Sequence, residues 1–162
     1  MKHVEDTQTR ANNYLKLEEP YKGETNVLHY LEVLRDRVGF DVIKEKVTHP
    51  LTGKKVGAYY GCLLLRPGKV LEFDNPENPK IMEDFIRAIG AEPVIYPYRN
   101  ECCGGYISLK EKERAKNMCN KIVESAEGFG ADMLITACPL CMYNLKKNTA
   151  GNLPVYYFTE LL

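Results

Sequence analysis

The chain has 162 residues, of which 44% are apolar and 27% charged, the proportions of an ordinary globular domain and not of a disordered or fibrous chain. Lys and Arg balance Asp and Glu at 22 each, so the charge gives no case for nucleic acid or an anionic membrane as partner. Met1 to Arg10 is polar and no apolar run is long enough to span a bilayer, which predicts a cytoplasmic chain without signal peptide or membrane insertion. In a reducing compartment its six cysteines point to metal or redox chemistry before disulfides.

Residues 1–50 read as a helical N-terminal extension. Val27, Leu31, Leu34 and Val38 share one face of a helix that Gly39 stops, a short helix follows over about 42–47, and Pro50 ends it. All three histidines, His3, His29 and His49, lie here, and all six cysteines lie beyond it. From Leu51 to Leu162 a new order recurs: strand, cysteine loop, helix.

Residues 55–60 form a β-prone run that leads into Gly61 and Cys62. Asn78 and Pro79 have the chemistry of a helix start, with Asn78 as N-cap. Ile81, Met82, Phe85, Ile86 and Ile89 supply the apolar stripe that follows, and Gly90 ends it. Residues 93–96 make the next strand and feed the loop that holds Cys102, Cys103, Gly104 and Gly105. Adjacent cysteines in a strand would face opposite sides, so aiming both sulfurs at one object requires an irregular turn, which the two glycines ease. Ser108 and Glu111 have capping-box spacing and predict a helix from there to Ala126, broken by Gly128 and Gly130. Residues 133–136 are a third strand running toward Cys138, Pro139 suits a first helical turn that carries Cys141, and residues 155–158 are a fourth strand.

The alternation predicts an α/β fold: a small, mainly parallel β-sheet flanked by helices, with the cysteine loops at the carboxyl ends of the strands, where such sheets gather ligands. Cys62, Cys102, Cys103, Cys138 and Cys141 would then meet on one edge. Thiolates suit iron–sulfur clusters and zinc, and a helix N-terminus favours the thiolate at Cys138 and Cys141. Zinc closes a structural site with four thiolates, so a zinc-bound interaction module stays open as the alternative. Cys138 and Cys141 alone resemble a glutaredoxin-like dithiol, while the lack of histidine after residue 50 argues against a cysteine hydrolase. Cys119 reads as core, on a helical face with Ala115, Met118, Ile122, Ala126 and Phe129. Arg66, Lys69 and Arg99 are either solvated or a source of positive charge near an anionic group. Tyr59, Tyr60, Tyr96 and Tyr98 flank the loops as packing or as a water shield.

The cysteine pattern is C-x39-CC-x34-C-x2-C. Together with Tyr60-Gly61-Cys62, Glu101-Cys102-Cys103-Gly104 and Ala137-Cys138-Pro139-Leu140-Cys141, it resembles the cysteine-rich CCG domain of the heterodisulfide reductase B subunit and its relatives. These include subunits of lactate and glycolate oxidation systems and a thiol-linked fumarate reductase. The stretches Gly61 to Pro67 and Asp74 to Pro79 resemble the second half of the B subunit. The resemblance implies that Cys62, Cys102, Cys103, Cys138 and Cys141 bind a non-cubane [4Fe-4S] cluster. It also implies that the cluster passes electrons to a small-molecule disulfide, within an oxidoreductase that includes an iron–sulfur C subunit and a flavin-containing A subunit. In a lactate or glycolate system the same domain would transfer electrons without breaking a disulfide. The full B subunit carries two such motifs and this chain carries one, so residues 51–162 read as one CCG domain of what is either a fragment or half of a split subunit.

Overall fold

In the computed structural model, which describes residues 5–162, the β-prone runs pair into one four-stranded, wholly parallel sheet. Met1 to Val4, with His3, lie outside the described residues. The rest divides into two compact units between Tyr30 and Leu31. In the first, helix α1 (Glu5–Leu15) buries no side chain. Its Asn12 amide donates to the Tyr21 carbonyl at 2.9 Å and accepts from the Tyr21 N–H at 3.0 Å, closing the following chain back onto the helix.

The second unit takes in most of α2 (Tyr30–Val33), a π-helical turn (Leu34–Val38) and α3 (Phe40–Lys46). The continuous helix expected from Val27 to Val38 does not form. Leu31 and Leu34 enter the core, whereas Val27 is 88% and Val38 41% exposed. The wider π turn moves Val38 off the face that Leu31 occupies.

Strand β1 (Lys55–Tyr59) is followed by α4 (Gly68–Leu71), α5 (Ile81–Ala88), β2 (Glu92–Val94), α6 (Lys112–Gly128), β3 (Met133–Thr136), α7 (Pro139–Asn148) and β4 (Val155–Tyr157). The sheet order is β2-β1-β3-β4. Two-residue periodicity splits β1 and its extension between the faces. Val56, Ala58 and Tyr60 join the core with Phe85, Ile86 and Phe158, and Tyr59 joins the core with Cys119, Ile122 and Leu145. Phe85 and Phe158 pack edge to face with centroids 5.6 Å apart.

Two helix starts differ from expectation. Helix α5 begins at Ile81, and its first amides are capped by Asp74, whose Oδ2 accepts from Lys80 N and Ile81 N at 2.7 Å. Asn78 is not the cap, because its side-chain oxygen is engaged by Arg99 at 2.6 Å. Helix α6 begins at Lys112, not at Ser108, whose hydroxyl instead donates to the Gly105 carbonyl at 2.8 Å and folds 105–108 into a turn. On α6 the buried face is Ala115, Cys119, Ile122, Val123 and Ala126, while Phe129, expected there, is 58% exposed just past the helix end.

Candidate functional site

Strand β1 has β2 on one side and β3 on the other, so the chain reverses its winding direction between β1 and β3. A crevice opens outside the carboxyl ends of neighbouring strands at such a reversal. Tyr59 at the end of β1 pairs in register with Thr136 at the end of β3. The loop carrying Cys62 and the loop carrying Cys138 therefore leave the sheet side by side. The loop after β2 brings Cys102 and Cys103 to the same edge through a 3₁₀ turn (Pro97–Asn100).

Cys103 and Cys141 are buried, and Cys62, Cys102 and Cys138 are half-buried. The sulfurs of Cys103 and Cys141 lie 3.7 Å apart. Cys138 is the N-cap of α7, as its place before Pro139 predicts, and its sulfur accepts from Cys141 N–H at 3.4 Å. Cys141 hydrogen-bonds both neighbours, and holding the proton there pushes the Cys103 and Cys138 thiols down to about 6 each while Cys141 itself rises. Burial, reinforced by a hydrogen bond with Cys102, pushes Cys62 up to about 11. Glycine makes room for one sulfur: at Gly61, with φ +67°, a Cβ would lie 2.9 Å from Cys141 Sγ, whereas a Cβ at Gly105 would press on Leu140 at 3.2 Å and not on a sulfur. All six cysteines are free thiols. Among the described residues, no group of three or more His, Cys, Asp or Glu side chains is arranged to hold a metal ion.

Beneath these loops lies a buried polar network that no local motif announces. Arg99 donates to Glu83 Oε1 at 2.6 Å, with side-chain exposures of 7% and 2%. The Tyr60 hydroxyl makes a very short hydrogen bond to the other Glu83 oxygen and accepts from Met82 N at 2.9 Å. Burial pushes the Glu83 carboxyl up, while the bonds from Tyr60 and Arg99 hold it down. The Arg99 carbonyl accepts from Tyr60 N–H at 2.8 Å, and Tyr59 OH donates to the Glu101 carbonyl at 2.8 Å. Two adjacent tyrosines of one strand end thus fasten the cysteine loop of another.

Of the cations considered from sequence, Arg99 is neutralised by Glu83, Arg66 pairs with Glu77 at 3.2 Å, and Lys69 is exposed. Tyr59, Tyr60 and Tyr96 are buried, whereas Tyr98 is 38% exposed. Two further buried groups meet the Cys103 backbone. Asn144 Nδ2 donates to its carbonyl at 2.6 Å, and Cys119 Sγ donates to the same oxygen at 3.3 Å. Asn144 follows Cys141 by three residues, the one signal in the sequence that it shares the cysteine face of α7.

Three strand-end loops that converge in this way carry the CCG signature, and the family model for the CCG cysteine-rich domain matches residues 56–146, more than half of the chain. The chain belongs to this family. As a CCG protein it is 36% identical over 125 residues to the 8-methylmenaquinol:fumarate reductase membrane anchor subunit of Wolinella succinogenes, an overlap of 77% of this chain and 43% of that protein. It is 29% identical over 153 residues to the B subunit of the ferredoxin/F(420)H(2)-dependent CoB-CoM heterodisulfide reductase of Methanosarcina acetivorans, covering 88% of this chain and 51% of the relative. A protein of Archaeoglobus profundus described as like the heterodisulfide reductase B subunit is 31% identical over 129 residues, covering 77% of this chain and 43% of that one. The chain therefore spans about half the length of these CCG relatives, or less. No helix among the described residues is long and apolar enough to cross a membrane.

Proposed function

We propose that Cys62, Cys102, Cys103, Cys138 and Cys141 hold an iron–sulfur cluster and that the chain is an electron-transferring, cytoplasmic component of a heterodisulfide-reductase-like oxidoreductase. The observation that supports this reading is that three successive strand-end loops carrying these five cysteines leave the sheet at its reversal point, with the Cys103 and Cys141 sulfurs 3.7 Å apart. The donor set fits the group: all five are soft sulfur donors, the kind that iron–sulfur clusters take. Five sulfurs also exceed the four that a tetrahedral zinc site uses.

A cluster bound there, of the non-cubane [4Fe-4S] type, would supply reducing electrons and a sulfur-binding iron. Reduction of a disulfide consumes two electrons and two protons and releases two thiols, with the electrons delivered by the iron–sulfur and flavin-containing partners. Within this chain, Cys103 and Cys141 anchor the buried side, Cys62 and Cys102 form the half-exposed margin that a substrate sulfur approaches, and Tyr59, Tyr60 and Tyr96 exclude water from behind. Residues 51–162 are then one CCG domain of a protein whose relatives are about twice as long.

Anaerobic purification followed by iron, acid-labile sulfide and zinc analysis tests the proposal. Iron and sulfide in equal amounts, with an electron paramagnetic resonance signal on oxidation, are expected. Zinc without labile sulfide after anaerobic reconstitution would overturn it in favour of a structural interaction module. A loaded chain that accepts and donates electrons but leaves disulfides intact would assign it to the lactate or glycolate type of system.

A further inference from the structure

The turn at Cys102, Cys103 and Gly104 has to abandon regular structure so that adjacent sulfurs serve one site. The cost is a peptide carbonyl, that of Cys103, turned into the protein. Gly104 takes φ +74°, and a Cβ on it would lie 3.0 Å from Met118 Sδ and 3.2 Å from Ala115 Cα, so the turn is pressed against α6. A carbonyl buried at such a place needs donors from whatever packs over it. Two are supplied from two different helices, at 2.6 Å by Asn144 of α7 and at 3.3 Å by Cys119 of α6.

Asn144 is 1% and Cys119 0% exposed. They are also joined to each other, since Asn144 Nδ2 lies 3.4 Å from Cys119 Sγ. The amide is oriented in turn by Asn148, whose Nδ2 donates to Asn144 Oδ1 at 2.5 Å. With its oxygen occupied by Asn148, Asn144 can present only its NH₂ group to Cys103. Cys119 Sγ has two carbonyl oxygens in reach, that of Cys103 at 3.3 Å and that of Asn144 at 3.7 Å, so its thiol serves there as a donor with the Cys103 oxygen as the nearer acceptor.

We propose that Asn144 and Cys119 are positioning residues: a two-donor clamp on the Cys103 carbonyl that sets the direction of the Cys102 and Cys103 sulfurs. The role in cluster binding rests on the function proposed above, whereas the clamp itself exists in the metal-free chain. Cys119 is then neither a ligand nor an inert core residue. It acts through the backbone of a ligand, and serine, which retains a donor at the same place, substitutes for it where alanine does not.

Two readouts separate this from simple packing. In the metal-free chain under reducing conditions, alkylation of Cys103 by iodoacetamide, followed by mass spectrometry, reports how often the turn opens. Cys119→Ala and Asn144→Leu should raise that rate about ten-fold, and Cys119→Ser should leave it near the wild-type value. In the anaerobically reconstituted chain, the first two variants should alter the paramagnetic resonance spectrum and shift the midpoint potential to more negative values. A carbonyl that loses its donors keeps more negative charge on its oxygen beside an anionic site. The Cys119→Ser spectrum should match the wild type.

If Cys119→Ala and Asn144→Leu only lower the melting temperature, with wild-type alkylation and spectrum, the clamp is overturned. Should Asn144→Leu fail to fold by circular dichroism, the contrast between alanine and serine at position 119 decides alone. If the wild-type chain takes up no iron, the proposed function fails while the alkylation arm still decides the clamp.

Discussion

The inner and outer cysteines are held by different means. Cys103 and Cys141 are buried with their sulfurs 3.7 Å apart; Cys141 lies on α7, and both belong to the core built by Cys119 and Ile122 of α6 and Leu145 of α7. Cys62 and Cys102 are half-buried in loops, where the Cys102 sulfur accepts from Gly104 N–H at 3.3 Å and the rest of the support is remote, while Cys138, also half-buried, is held at the start of α7 by the Cys141 N–H. Tyr60, Glu83, Arg99 and Asn78 lock the two loops to each other and to the start of α5 without touching a sulfur. Rigidity and access are thereby assigned to opposite sides of one site. The inner pair is shielded from solvent, and the outer pair is partly exposed to it.

The sharpest way to break that division is to remove one sulfur from each half. Cys103→Ser or Cys141→Ser should abolish bound iron and sulfide, whereas Cys62→Ser should leave a substoichiometric, more oxygen-labile residue, measured as iron and sulfide per chain after anaerobic reconstitution. Equal losses at all three positions would erase the distinction. Next in size is the network under the outer loops. Arg99→Met leaves the buried Glu83 carboxylate without its counter-charge, with Tyr60 as its remaining side-chain partner, and should cost about 3–5 kcal/mol in urea denaturation of the metal-free chain. A loss below about 1 kcal/mol would mean that the pair behaves as an exposed one despite its burial.

A smaller effect is expected where the halves touch. Gly61→Ala forces a side chain into the left-handed region and places its Cβ against the Cys141 sulfur, for a loss of about 1–3 kcal/mol together with reduced iron content. Wild-type iron loading in this variant would show that the inner sulfur tolerates displacement. Smallest, and restricted to the fold, is Asp74→Ala. It uncaps α5 and should lower stability by about 1 kcal/mol while iron content stays the same, because Asp74 bonds the amides of Asn75, Lys80 and Ile81 and no cysteine loop.

Much of the site is legible in the sequence because its grammar is local. A β-prone run followed by glycine and cysteine, or a cysteine followed by proline at a helix start, is decided within a few residues, and β1, β3 and the Cys138 cap form where the sequence predicts. Less legible are residues whose partners lie far along the chain. Glu83 sits within an apolar stripe as a charge that local rules assign to solvent, yet it is buried because Arg99, 16 residues away, and Tyr60, 23 residues away, come to it. Asn78 is drawn from its expected capping role by Arg99, and the cap passes to Asp74. Ser108 is drawn into a turn with Gly105. In each case a long-range contact or a tight turn outcompetes the local motif.

Residue order was enough to specify the alternation of strands and helices, the parallel sense that follows from it, and the placement of five cysteines after strand ends. These are consequences of periodicity, turn chemistry and chain connectivity. Packing in three dimensions was needed to put β1 between β2 and β3, which turns three separate loops into one edge with a reversal point. Packing also selected which sulfurs are buried and brought Asn144 and Cys119 to the Cys103 carbonyl. Buried polar groups have to be satisfied by whatever the fold brings near, and no local pattern encodes which partner that will be.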